Sequence, residues 1–99
     1  MQVGTSKTTT VSIADNDFTQ VILVANDNRR GVLLQNNNAS DDLFVCFNDQ
    51  PASTATMVTI PSGSNAFIYW GGDTNVPTGV IYGYQNSGGA LNIVINEEQ

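Results

Sequence analysis

The sequence predicts an all-β protein, an antiparallel β-sandwich or jelly roll of about seven to eight strands. Three observations carry this. β-branched and aromatic residues come in short bursts such as Val21-Ile22-Leu23-Val24 and Leu43-Phe44-Val45-Cys46-Phe47. The bursts are divided by clusters of Gly, Asn, Asp, Ser and Pro, the residues that build turns. No segment needs a helical period to explain it. With 99 residues there is room for one core, so residues 1–99 are expected to form a single sandwich domain without a deep enclosed ligand cavity.

The elements follow in order. The first strand is expected from Thr8 to Ile13, with Val11 and Ile13 on one face and Thr10 and Ser12 on the other. Residues 1–10 can also serve as an extended N-terminal arm. Asp15-Asn16-Asp17 turns the chain. Phe18 to Val24 and Arg29 to Gln35 are the next two strands, expected to pair as a hairpin through Ala25-Asn26-Asp27-Asn28, because Asx side chains bond their own backbone in turns. After a polar turn at Asn36 to Asp41 comes Leu43 to Phe47, whose two apolar faces suit a central strand.

A weaker strand at Thr56 to Ile60, the turn Pro61-Ser62-Gly63 and an aromatic burst from Asn65 to Trp70 come next, and Gly71 to Thr78 is the longest loop. Val80 to Gln85 and Ala90 to Asn96 flank Asn86-Ser87-Gly88-Gly89, and the last strand alternates with Leu91, Ile93 and Ile95 inward. Phe67 and Tyr82 are expected in the core. Trp70, beside a Gly-rich loop, suits either core or interface.

Composition narrows the function. The net charge is -6, with three basic residues, nine acids and no histidine. Phosphate backbones and anionic membranes select basic surfaces, so neither nucleic acid nor membrane is an expected partner. Residues 1–10 hold no apolar signal segment, and no run approaches the about 18 apolar residues of a membrane helix.

Without histidine there is no Ser-His-Asp or Cys-His constellation, and one cysteine cannot build a zinc site. Catalytic residues, cofactor and metal are therefore all expected to be none, and the chain is not expected to be an enzyme. Asp15 with Asp17, and Asp41 with Asp42, are explained by turn formation rather than by cation binding. Cys46 is expected as a small buried hydrophobe. Of the basic pair, Arg29 or Arg30 is expected to pin the adjacent loop or to end a strand in solvent.

Three strands, Val21 to Val24, Val32 to Leu34 and Leu43 to Phe47, carry apolar residues on both faces, whereas a two-layer sandwich buries one face per strand. At about 25 cal/mol per Å², leaving those side chains wet forgoes several kcal/mol. A second copy of the chain, as a dimer or trimer, or a neighbouring subunit is expected to cover them.

Ala25-Asn26-Asp27-Asn28-Arg29-Arg30-Gly31-Val32-Leu33-Leu34-Gln35-Asn36 resembles the A-N-x-x-R-R-x-x-L-x-Q-N stretch of small virion structural proteins of tailed bacteriophages. Phe44-Val45-Cys46-Phe47, Ile60-Pro61-Ser62-Gly63 and Pro77-Thr78-Gly79-Val80-Ile81-Tyr82 resemble later pieces of that group in the same order. The chain departs from the group in Phe67-Ile68-Tyr69-Trp70 and in Cys46. The resemblance implies a capsid decoration, or cement, protein that binds the outer head surface as an oligomer, in a virion assembled in the host cytoplasm. Its partners would be itself and the major capsid protein or another virion protein. A tail or head–tail component is the alternative within the group. A carbohydrate-binding module using the surroundings of Trp70 and Asp73 is the alternative outside it. The candidate interface residues are Val11, Arg29, Arg30, Phe44, Tyr69 and Trp70.

Overall fold

A computed structural model describes residues 6–63, 66–70 and 76–99, the side chains of residues 6 and 66–70 excepted. Its strands are β1 (Ser6–Ile13), β2 (Val21–Leu23), β3 (Gly31–Asn36), β4 (Leu43–Phe47), β5 (Val58–Ile60), β6 (Ala66–Trp70), β7 (Ile81–Tyr84) and β8 (Leu91–Glu98), with one 3-10 turn at Thr54–Thr56. They form two four-stranded sheets, ordered β1-β8-β3-β6 and β2-β7-β4-β5. Every pairing is antiparallel.

The order is that of one long hairpin rolled on itself. β4 pairs β5 at the tip, followed by β3 with β6, β2 with β7 and β1 with β8. Rolling then lays β8 against β3 and β7 against β4. This is the jelly-roll form of the sandwich. The expected hairpin of β2 with β3 does not form, because those strands lie in different sheets. Its Asx turn reverses the chain, but the long-range strands β7 and β8 take the pairing edges.

The period-2 alternation of the sequence builds the core. Leu91, Ile93 and Ile95 of β8 face Val32 and Leu34 of β3 within one sheet, and Leu43, Val45, Ile60 and Ile81 close over them from the other. Gly83 sits in the inner row of β7, opposite Val45. A methyl group there would lie 2.6 Å from Ile22 Cγ2 and 3.1 Å from Ile13 Cδ1. Glycine thus leaves room for one isoleucine from each sheet to meet over β7.

Connections that cross between the sheets are tied down by buried polar side chains. Asn36, at the end of β3, donates to the carbonyls of Asp41 (2.8 Å) and Ile60 (3.0 Å) and accepts from the Asn38 N–H (3.1 Å). Gln85, after β7, donates to the carbonyls of Ile13 (2.9 Å) and Gly89 (2.6 Å) and accepts from the Ser87 N–H (2.7 Å). Each amide reaches from one sheet to the end of a strand in the other, β5 at Ile60 and β1 at Ile13. Every buried side-chain nitrogen and oxygen among the described residues has a partner, as a low-dielectric interior requires.

Several boundaries move. β1 begins at Ser6, so residues 6–10 of the expected arm are strand, paired with β8 from Ser6↔Glu98 onward; residues 1–5 lie outside the described residues. β2 shrinks to three residues, with a register shift between Val21 and Leu23. Arg29 and Arg30 precede β3 rather than open it. Among the described residues no helix is long and apolar enough to cross a membrane.

Candidate interaction surface

The outer face of the β2-β7-β4-β5 sheet follows from its register. Because Ile81 and Gly83 face inward, Tyr82 and Tyr84 face outward, opposite Cys46 and Phe44 of β4. Val21 of β2 extends the row of Tyr82, and Thr59 of β5 extends the row of Phe44. Phe18, which precedes β2, lies flat on Tyr84 with ring centroids 3.9 Å apart and planes 4° apart. Phe44 meets the same ring at 6.1 Å and 54°. The Tyr84 hydroxyl donates to Asn16 Oδ1 at 2.8 Å, which anchors the stack to the β1–β2 turn.

Tyr84 is consequently buried, while Phe18, Phe44, Cys46 and Tyr82 are half-buried and Val21 is 46% exposed. These two rows, Phe18-Tyr84-Phe44 and Val21-Tyr82-Cys46, contain no charge. The result is an uncharged aromatic platform. Tyr82, expected in the core, belongs to it. Its alternation with Ile81 is the signal that would have placed it there.

Arg29 has a different role from the one expected of an interface residue. Its side chain is fully buried and its Nε lies 2.8 Å from Glu97 Oε2 of β8. Nη1 donates to the carbonyls of Pro77 and of Gly79 (3.1 Å), and Nη2 to that of Val24 (2.6 Å). One guanidinium thus ties β8 to the β2–β3 and β6–β7 connections, which fulfils the expected loop pin through the planar fork of five donors. Asn26 adds a backbone bond from its N–H to the Thr78 carbonyl at 2.8 Å. Arg30 is exposed, and its N–H donates to the Glu98 carbonyl at 2.7 Å.

The remaining candidates separate in space. Phe44 lies on the aromatic platform. Val11 faces the interior from β1, opposite Ile93, where it packs against the core and stays half-buried. Tyr69 and Trp70 pair in register with Leu33 and Val32; their side chains, with that of Phe67, and residue Asp73 lie outside the described residues. The six candidates therefore do not form one patch.

Cys46 is half-buried on the outer face rather than in the core, and its thiol donates to the Asp49 carbonyl at 3.4 Å. Beside it the β4–β5 connection frames a surface hollow of ≈ 460 Å³ between Phe47, Gln50, Pro51 and Thr56. The acids expected in turns are used there. Asp15 Oδ1 accepts the Gly88 N–H (2.9 Å), and Asp42 Oδ1 accepts the Ser62 N–H (3.0 Å). Asp17 Oδ1 accepts both the hydroxyl (2.6 Å) and the N–H (2.9 Å) of Thr19. The Thr19 hydroxyl, then its N–H, hold the Asp17 carboxyl below the usual aspartate range. Among the described residues no three His, Cys, Asp or Glu side chains come together as a metal site.

No protein-family model, curated protein or solved structure matches the chain.

Proposed function

We propose that the chain is a non-enzymatic structural subunit of a bacteriophage particle, of the capsid decoration type, that binds the outer head surface as an oligomer and holds shell subunits together. The observation that carries this reading is the uncharged platform of Phe18, Tyr84, Phe44, Tyr82, Cys46 and Val21 on one outer face of a jelly roll. Aromatic side chains deliver large contact area at low rotamer cost, and they concentrate at the centres of interfaces. Jelly rolls recur in viral capsid proteins and in lectins. That association is one of fold, and it agrees with the ordered resemblance of Ala25 to Asn36, Phe44 to Phe47, Ile60 to Gly63 and Pro77 to Tyr82 to small phage virion proteins.

The mechanism is cohesion. A subunit bound across neighbouring shell proteins stabilises the assembled state by about 2.7 kcal/mol per site at a concentration of 100 Kd. A specific interface buries about 1,200–2,000 Å² in total, and an oligomer presents several copies of the platform toward that area. The net charge of -6 favours the outside of a head over a surface facing packaged DNA.

The test combines the purified chain with phage heads assembled without it, and with tails and host polysaccharide as competing targets. Saturable addition to heads at a fixed stoichiometry supports the decoration reading. Addition to tails or to the neck instead selects the tail or head–tail alternative, and binding to polysaccharide alone selects the carbohydrate-binding one.

A further inference from the structure

Among the described residues β1 is the terminal strand of its sheet, paired on one side only, by β8. It is eight residues long, and its register with β8 runs without a break from Ser6↔Glu98 to Ile13↔Leu91. Proteins usually protect such an edge with proline, a bulge or central charges. Here Lys7-Thr8-Thr9-Thr10-Val11-Ser12-Ile13 contains no proline and no acid, and its one charge stands at its beginning. The opposite edge strand of the other sheet, β2, shows the contrast, being three residues long and irregular. Val11 points inward from β1, yet it stays half-buried, so the core is open along this side.

Charge runs along the strand in one direction. Lys7 begins it, and Asp15 and Asp17 follow its end. Antiparallel pairing of two such strands sets each lysine toward the other copy's acids, whereas parallel pairing sets like against like. We infer that β1 is a self-association edge, where a second copy of this chain adds its own β1 antiparallel about a two-fold axis through Val11. The two four-stranded sheets then become one continuous sheet across the dimer.

This register is self-consistent on both faces. In the inner row the two Val11 side chains meet on the axis and Thr9 stands beside the second copy's Ile13, which closes the open side of both cores. In the outer row Thr10 stands beside the second copy's Ser12, a favourable hydroxyl pair. Lys7 reaches toward the second copy's Asp15, a residue half-buried in the single chain. The self-pairing deepens the oligomer of the proposed function and rests on that part of it alone, whatever particle or surface the chain binds.

The experiment uses the full chain with Cys46→Ser, so that only introduced thiols react. Val11→Cys, on the axis, brings two Cα atoms to about 4.5–5.5 Å, within the about 4.4–6.8 Å span of a disulfide. Thr10→Cys, two residues out of register with its mate, does not. Mild oxidation is expected to give a covalent dimer with Val11→Cys and monomer with Thr10→Cys. Light scattering of the unaltered chain is expected to give twice the chain mass, and Thr10→Lys, on an exposed outer position, is expected to weaken the dimer by about tenfold or more. A chain that stays monomeric, a dimer indifferent to Thr10→Lys, or equal cross-linking by both cysteines overturns the pairing. Head binding is scored apart: a β1 dimer that ignores heads leaves the pairing standing and removes the decoration reading, and a monomer that coats heads overturns the pairing, and with it the oligomer, while head binding stands.

Discussion

The two sheets share one core, yet the β1–β8 half of one turns Thr8, Thr10, Ser12, Asn92 and Asn96 outward around Val94, with Leu33 of β3 next in that outer row, and the other turns out Phe44, Cys46, Tyr82 and Tyr84. On the first face the polar groups bond one another, as when Asn96 donates to the Thr8 hydroxyl at 2.7 Å. That is what solvent asks of a sheet. On the second, rings stack on rings and no charge interrupts them. Both inner faces are built from Ile, Val and Leu, so the fold itself does not require the outer difference. Side chains that folding leaves free to vary report on what the surface meets, and the aromatic sheet is therefore where a partner is expected. The polar sheet contributes through its β1 edge instead.

The largest predicted effect lies where the sheets are tied together. Arg29→Met leaves three carbonyls without their Arg29 donor and the Glu97 carboxylate with the long bond from Asn26 Nδ2 (3.4 Å) in place of its ion pair, and loss of one member of a buried ion pair costs about 3–5 kcal/mol. Urea denaturation is the check, and a loss below 1 kcal/mol would mean that the sandwich end is held by other contacts. Gly83→Ala drives a methyl into Ile22 and Ile13 and is expected to cost about 1–3 kcal/mol. Asn92→Ala, on the polar outer face, should stay within about 0.5 kcal/mol. A similar cost for both would erase the contrast between a filled interior and a free exterior.

Phe44→Ser with Tyr82→Ser sharpens the comparison between the faces. Both side chains are half-buried, so the pair should keep the fold by circular dichroism while removing binding to the particle. Asn92→Ala on the polar sheet should leave binding unchanged. The smallest effect concerns Asp17. Its carboxyl is held low in the folded chain, so its contribution to stability is present above the unfolded aspartate range and is lost as pH falls through the lowered value. Thr19→Val should move that titration back toward the ordinary range in a carboxyl NMR titration; an unmoved titration would assign the shift to another cause.

How much of this could be read beforehand differs by residue. Leu43 to Phe47 has the same limits in sequence and structure, because a doubly apolar burst bounded by Asp42 and Asn48 leaves one solution. Partners were less legible. Ala25 to Asn28 signals a reversal, but which strand β2 joins depends on β7, some sixty residues on, and no local signal carries that. Arg29 was legible as a loop pin and misjudged as an interface group, since its partners Glu97, Pro77 and Gly79 arrive from far along the chain. Size suggests the core for Tyr82, but its alternation with Ile81 is the better guide. Phe18 reads as the start of a strand, yet it precedes β2 and stacks on Tyr84.

The most direct test of the aromatic sheet as the contact face is the amount of chain retained on phage heads assembled without it, measured for the unaltered chain and for Phe44→Ser with Tyr82→Ser. The account predicts saturable retention of the first and loss of the second, with both folded. Equal retention of the two, or retention of neither, would contradict it.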